Sequence, residues 1–380
     1  MHILIAPNAF KNSISAADAA TLIGQGLQSS CLSFTSTRFP IGDGGDGTAA
    51  LLLQKLNGTR VACFVHDPLG RMIESSFGLI ENGRTAIIEM ADAAGLRLLA
   101  TQELNPLLAS SFGTGEMILS ALDKGVTKII LGLGGSATID GGTGILKALG
   151  IRFLDAAGED LKNLPETLDS LSGIDITAID PRLTHCSFII LCDVDNKLLG
   201  DEGAAAIFGP QKGASPNDIL LLEKGLARFA MVFKQRTGRD ISSTPHGGAA
   251  GGTAAGLSAF LDTRLLNGID AFLEMTGFEK ELEKSDLLIT GEGSLDEQTL
   301  QGKGPYGVAL RAKEKNIPVI GLAGKVPLQE NNALKKYFDV LVSIGNEPTS
   351  LSNAIEHSKD NLKRISKEIG NLLSIGIHGH

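Results

Sequence analysis

Short aliphatic and β-branched runs, each ending in glycine or an acid, punctuate the chain. They fall at His2–Ala6, Thr85–Glu89, Lys128–Leu131, Ser187–Cys192, Asp286–Thr290, Pro318–Leu322 and Asp339–Ser343. Each is too short and too continuous for an amphipathic helix, so each predicts a buried parallel strand. Between them, apolar positions recur at helical spacing in Ala16–Leu27, Gly115–Lys124, Asp218–Lys234 and Tyr306–Lys315, and Ser350–Leu373 reads as a helix of mixed charge. Strand–helix alternation of this kind predicts a layered α/β protein. The length of 380 residues points to two domains. One economical arrangement puts the first strand beside the strands after residue 285 in a single parallel sheet. That gives a Rossmann-like domain from residues 1–65 plus 281–380, with a second α/β domain, 66–280, inserted into it. A head-to-tail arrangement stays open.

Composition narrows the function classes. Aromatic residues make up 4% with no Trp, which argues against stacking of bases or sugars. The net charge is −9 with no basic cluster, so a nucleic-acid or acidic-membrane partner would bind against the protein's own field. An anionic ligand must instead be held by backbone amides, one or two lysines, or a bound cation. Cys31, Cys63, Cys186 and Cys192 form no CxxC pair, so reduced thiols in a cytoplasmic protein are expected. MHILIAP is too short for a signal segment, and no apolar run has the length of a membrane span. The final IGIHGH is either a metal tract or a frayed terminus.

Glycine changes the picture. The 47 glycines cluster in GDGGDG, GLGG, DGGTG, HGGAAGG and TGEG, as backbone does where it approaches a ligand. Gly42-Asp43-Gly44-Gly45-Asp46-Gly47 literally contains the dinucleotide pattern GxGxxG. Its two acids would repel a pyrophosphate unless a cation lay between them. This loop therefore binds hydroxyls or metal, joins a magnesium–phosphate arrangement, or is a structural turn with helix-capping acids. Gly132–Ala137 mimics the same fingerprint as GxGxxA, with Asp155 at ribose-binding distance, which keeps a dinucleotide-dependent oxidoreductase in play. Asp140-Gly141-Gly142 delays any helix to about Thr143, however. A long loop with Gly134, Gly135, Ser136 and Thr138 suits phosphate oxygens better.

Asp193 and Asp195 follow a strand at i and i+2 and so point the same way. They suit Mg²⁺, or equally form a solvated acidic turn. Glu292 and Asp296, at i and i+4, precede Lys303 in a glycine-flanked loop, and Lys11 supplies a second cation. Walker A and protein-kinase signatures are absent, and His246 reads as structural. Acids, glycines and two lysines are the parts that phosphoryl transfer needs, because its catalysis is positioning plus charge neutralisation.

Taken together, APNAFKNSISA, GDGGDGT, TGEMILSALDKG, GLGGSATIDGGTG, CDVDNKLLG, GAAAIFGPQKGA, GGAAGG and TGEGSLDEQTLQGKGPYGVA resemble the type I glycerate kinases of bacteria. The likeness runs in order from Ala6 to about Lys325. It implies ATP- and Mg²⁺-dependent phosphorylation of D-glycerate to 2-phosphoglycerate, in the cleft between two α/β domains. It carries over Lys11, Ser13, Asp43, Gly134, Gly135, Ser136, Asp193, Asp195, Lys212, Glu292, Asp296 and Lys303. We expect Lys11, Asp43, Asp296 and Lys303 to be catalytic. Ser13, Gly44, Gly45 and Glu292 are expected to bind substrate, and Gly134, Gly135, Ser136, Thr138 and Lys212 to bind nucleotide. Asp193 and Asp195 are expected to hold metal. The chain departs from the family pattern at Asn8, Gly42, Ile139, Lys197 and Ser294. The missing acid at position 8 and the missing arginine at 294 each remove a contact to metal, substrate or phosphate.

Overall fold

The structure, a computed structural model, describes residues 1–300, 302–329 and 331–378. The reading of IGIHGH as a metal tract falls partly on residues 379–380, outside the described residues. The strands are β1 (His2–Ile5), β2 (Thr35–Arg38), β3 (Thr59–His66), β4 (Met72–Ile80), β5 (Thr85–Glu89), β6 (Lys128–Gly132), β7 (Arg152–Leu154), β8 (Gly173–Asp175), β9 (Ser187–Cys192), β10 (Thr263–Asn267), β11 (Leu287–Ser294), β12 (Val319–Lys325) and β13 (Val340–Ser343).

The chain forms two compact units, one of Met1–Asp43 with Ile269–His380 and one of Gly44–Gly268. In the first, β13-β12-β11-β1-β2 make one wholly parallel sheet, with Ile3 opposite Leu287 and Ile289 opposite Ile320. Ile3, Leu4 and Ile5 are fully buried, which is why this strand reads as an unbroken apolar run. The helix Ala16–Gln28 covers the sheet and is started by Ser15, whose hydroxyl accepts from Asp18 N at 3.1 Å. Against it packs Ser358–His378, so closely that a Cβ on Gly26 would lie 2.4 Å from Lys363 O.

In the second unit the order is β10-β9-β6-β5-β4-β3. β5, β6, β9 and β10 run parallel, whereas β3 and β4 form an antiparallel hairpin at the edge. β7 and β8 are a separate antiparallel pair. Phe153, Phe188, Phe229 and Phe233 fill the core between this sheet and helices that include Phe112–Leu122, Pro216–Thr237 and Ala249–Phe260. Ser215 opens the longest of these with a capping box: its hydroxyl accepts from Asp218 N, and Asp218 accepts from Ser215 N at 2.8 Å.

The edges of the units differ from the expected 65/66 and 280/281. Residues 44–65 belong to the second unit because β3 pairs with β4, and the helix Thr48–Lys55 packs on β4 and β5. The hairpin shows no continuous apolar run because its outer strand alternates, with Phe64 exposed and Val65 buried. Among the described residues no helix is long and apolar enough to cross a membrane.

Candidate active site

In the first unit, β1 and β11 end side by side and deliver one cluster. Asn8 N donates to Gly291 O at 2.8 Å, and Thr290 Oγ1 to Ala6 O at 2.7 Å, which locks the two strand exits together. Strand carboxyl ends are where α/β sheets place their chemistry. Asp43 is anchored by Asn8 Nδ2 at 2.7 Å and Gly304 N at 3.4 Å. Gly304 is the first residue of the helix Gly304–Glu314, so the carboxylate lies at the positive end of that helix. The amide at position 8 therefore serves Asp43 directly, whereas an acid there would repel it.

Glu292 is 7% exposed and accepts from Thr299 Oγ1 at 3.0 Å. Burial pushes its carboxyl up to about 7; Asp43 adds to the rise, and Lys303 and Lys11 oppose it. Lys11 is exposed, with no ion pair among the described residues. Asp296 accepts from Ser294 Oγ at 3.0 Å, and its own amide donates to Thr299 Oγ1 at 3.1 Å. Thr299, missed by the sequence reading, thus links both acids. Ser13 bonds Ser358 Oγ and lies 3.5 Å from Ile355 O, tied to the C-terminal segment.

In the second unit, two glycine loops interlock. Gly134 N donates to Gly44 O at 3.0 Å, and a Cβ on Gly134 would stand 2.2 Å from Gly45 Cα. Gly135, at φ +73°, has no room either, since its Cβ would meet the Asp46 carboxylate at 2.1 Å. The helix after this loop starts at Thr143, too late for a dinucleotide fold.

Beneath the loop lies Lys212, 3% exposed, whose ammonium donates to Ser136 Oγ at 2.9 Å and Thr138 O at 2.8 Å. Burial pushes it down to about 7, and Asp140 and Asp193 pull the other way. Ser136, Thr138 and Lys212 are all buried, and the Thr138 hydroxyl has no hydrogen-bond partner. In this conformation the three brace the loop from below, and Gly135 is its half-exposed point.

Asp140, which the sequence reading named only as part of the delayed helix start, accepts from Ser111 Oγ at 2.6 Å and from the amides of Ser111, Gly142 and Gly144. An acid directly before a glycine-started helix was the available signal. The GGAAGG segment closes the loop's other side. Gly141 N donates to Gly251 O at 3.0 Å, and a Cβ on Gly251 would lie 2.1 Å from Thr138 O.

Asp193 is half-buried and its charge acts on Lys212, while Asp195 is exposed and pairs with His246 Nδ1 at 3.0 Å. Among the described residues no group of three or more His, Cys, Asp or Glu side chains is set to hold a metal. One or two carboxylates, with water and phosphate, still suffice for Mg²⁺. The donor chemistry fits an ion of that kind at Asp193, whereas Asp195 is held to His246.

These observations describe a two-unit α/β protein whose polar groups gather where strands end. The sequence matches the profile of the glycerate kinase family over residues 3–374. It is 41% identical to a glycerate kinase of Bacillus subtilis (strain 168), over 97% of each chain, and 41% identical to a glycerate 2-kinase of Escherichia coli (strain K12), over 99% of each. Among solved structures, a candidate glycerate kinase 2 from Salmonella typhimurium LT2 matches with a TM-score of 0.82 at 40% identity, covering 100% of this chain and 99% of that one. The chain belongs to the glycerate kinase family.

Proposed function

We propose that the protein phosphorylates D-glycerate with ATP and Mg²⁺ to give 2-phosphoglycerate, as a cytoplasmic enzyme. The observation that carries this reading is the cluster of Lys11, Asp43, Glu292 and Lys303 within the first unit. It joins two cations, fit for a carboxylate or a transferring phosphoryl group, to an acid poised near neutrality. Family membership and the name of the Escherichia coli relative support the choice of acceptor and of the 2-hydroxyl.

In this reading the acceptor carboxylate is held by Lys11 or Lys303. Its hydroxyl oxygen attacks the γ-phosphorus, the bond to the ADP oxygen breaks, and the hydroxyl proton passes to Glu292. Glu292, expected from the sequence to bind substrate, is thereby the base. Asp43, fixed by Asn8 and Gly304, orients the cluster, and Asp296 holds Thr299. Nucleotide phosphates are assigned to the loop of Gly134 and Gly135, kept in shape by Ser136, Thr138 and Lys212. Mg²⁺ at Asp193 would neutralise phosphate charge. Because the transition state is loose, little proton transfer is needed early, and a carboxylate suffices as base.

The test incubates purified protein with ATP, Mg²⁺ and D-glycerate and identifies the product by ³¹P and ¹³C NMR. One ADP per 2-phosphoglycerate is expected. No phosphorylated acid would overturn the reading, and phosphate on carbon 3 would overturn its regiochemistry.

A further inference from the structure

A cavity of about 220 Å³ lies in the second unit, between the helix Thr48–Lys55 and strands β3, β4 and β5. Nothing in the reading above uses it. Its polar lining is Asp46, Arg60, Ser76, Glu89, Asp92 and Arg97. It is smaller than the roughly 300–1,000 Å³ of sites for drug-sized ligands, so a nucleotide is too large for it.

Two features mark it as more than a group of acids. Glu89, at the carboxyl end of β5, is 5% exposed; one carboxyl oxygen accepts from Gly47 N at 2.5 Å. The other has no hydrogen-bond partner among the described residues, although the residue lines the cavity. On β3, the Arg60 guanidinium makes no hydrogen bond or ion pair among the described residues, and its charge reaches Asp92 only through space. Arg60 stands opposite Gly78, and Leu53 takes up the space that a Cβ there would need. Arg97, by contrast, is engaged by Asp92 and by Ala91 O at 3.3 Å.

We propose that this cavity is a second binding site, for a small singly charged hydroxy-carboxylate, with the carboxylate on Arg60 and a hydroxyl on the open oxygen of Glu89. The charges select this class. Arg97 and Asp92 offset each other, which leaves Arg60 to take one negative charge. Asp46 and Asp92 repel any more highly charged anion. At neutral pH Glu89 keeps its proton, because burial, then Asp92 and Asp46, push it up to about 8, while Gly47 N–H and Arg97 oppose the rise. It therefore offers a donor as well as an acceptor.

Equilibrium titration of the intact protein with D-glycerate at pH 7 tests the site in Lys11→Met and in Lys11→Met combined with Arg60→Gln. The first change removes a cation of the cluster in the first unit. Binding is expected to persist there and to weaken about tenfold or more when Arg60→Gln is added, the worth of one charged hydrogen bond. Arg60 is exposed, so its loss leaves the fold intact. Loss of all binding in Lys11→Met alone, or an unchanged isotherm with Arg60→Gln, overturns the proposal. 2-Phosphoglycerate is expected to bind this site at least about tenfold more weakly than D-glycerate; equal binding overturns the assignment to a monoanion. Affinity should fall above pH 8 as Glu89 ionises, and Glu89→Gln should abolish that fall. Turnover is not read in these titrations, so they decide the cavity whatever product the NMR test finds.

Discussion

Glu292 shows how one residue acquires its chemistry from its neighbours. Its carboxyl is held near 7 chiefly by burial, against the pull of Lys303 and Lys11. In the proposed reaction this base must be ionised, so kcat/KM should rise with pH through about 7 and level off above it. Glu292→Gln is expected to lower kcat by about a hundredfold or more and to erase that limb of the pH profile. An unchanged profile would remove Glu292 from the proton transfer. Burial alone does not make a group reactive, as Lys212 illustrates. Its ammonium is also shifted toward neutrality, yet both its bonds go to the loop above it. The family resemblance placed Lys212 among the nucleotide ligands; in the structure its ammonium donates to Ser136 Oγ and Thr138 O.

At the scale of elements, the glycine clusters do two different things. Gly47 sits at φ +88° with open space around its absent side chain, so only the backbone conformation requires glycine. Gly134 is set by contact, because the loop of Gly44 and Gly45 lies where its Cβ would go. Gly47→Ala should therefore destabilise by about 1 kcal/mol. Gly134→Ala should cost about 2–3 kcal/mol or more, since backbone must shift to admit it. Denaturant unfolding of both variants measures the difference, and equal losses would contradict the interlock. Contact also excludes a side chain at Gly251 of the GGAAGG segment, which has φ +67° as well, and at Gly256 four residues beyond it: added methyl groups would meet Thr138 O and Gly141 O. Its motif was visible in the chain, but its role as a buttress was not.

At the scale of the molecule, each unit has its own sheet and its own apolar core. The second is one uninterrupted stretch of chain, Gly44–Gly268, whose strands pair only among themselves. Expressed alone, residues 44–268 are expected to unfold in a single cooperative transition by circular dichroism. A melt without cooperativity would show that this core needs the rest of the chain. The net charge of −9 belongs to this scale too. An anionic ligand meets an unfavourable overall field, so the cations proposed to hold one, Lys11 and Lys303 in the first unit and Arg60 in the second, would have to act within a few ångströms.

The sequence by itself determined the α/β class, the central strands of both sheets, and the late helix start at Thr143. These follow from local periodicity and from glycine, whose effects act within a few residues. It also determined the family, through long motifs in fixed order. Only the tertiary structure decided that Asn8 and Gly304 hold Asp43, that Thr299 joins Glu292 to Asp296, and that Lys212 is buried beneath its loop. It likewise decided that Glu89 and Arg60 line one cavity. Hydrogen bonding and desolvation depend on which distant residues meet, and meeting is settled by packing across tens to hundreds of positions along the chain.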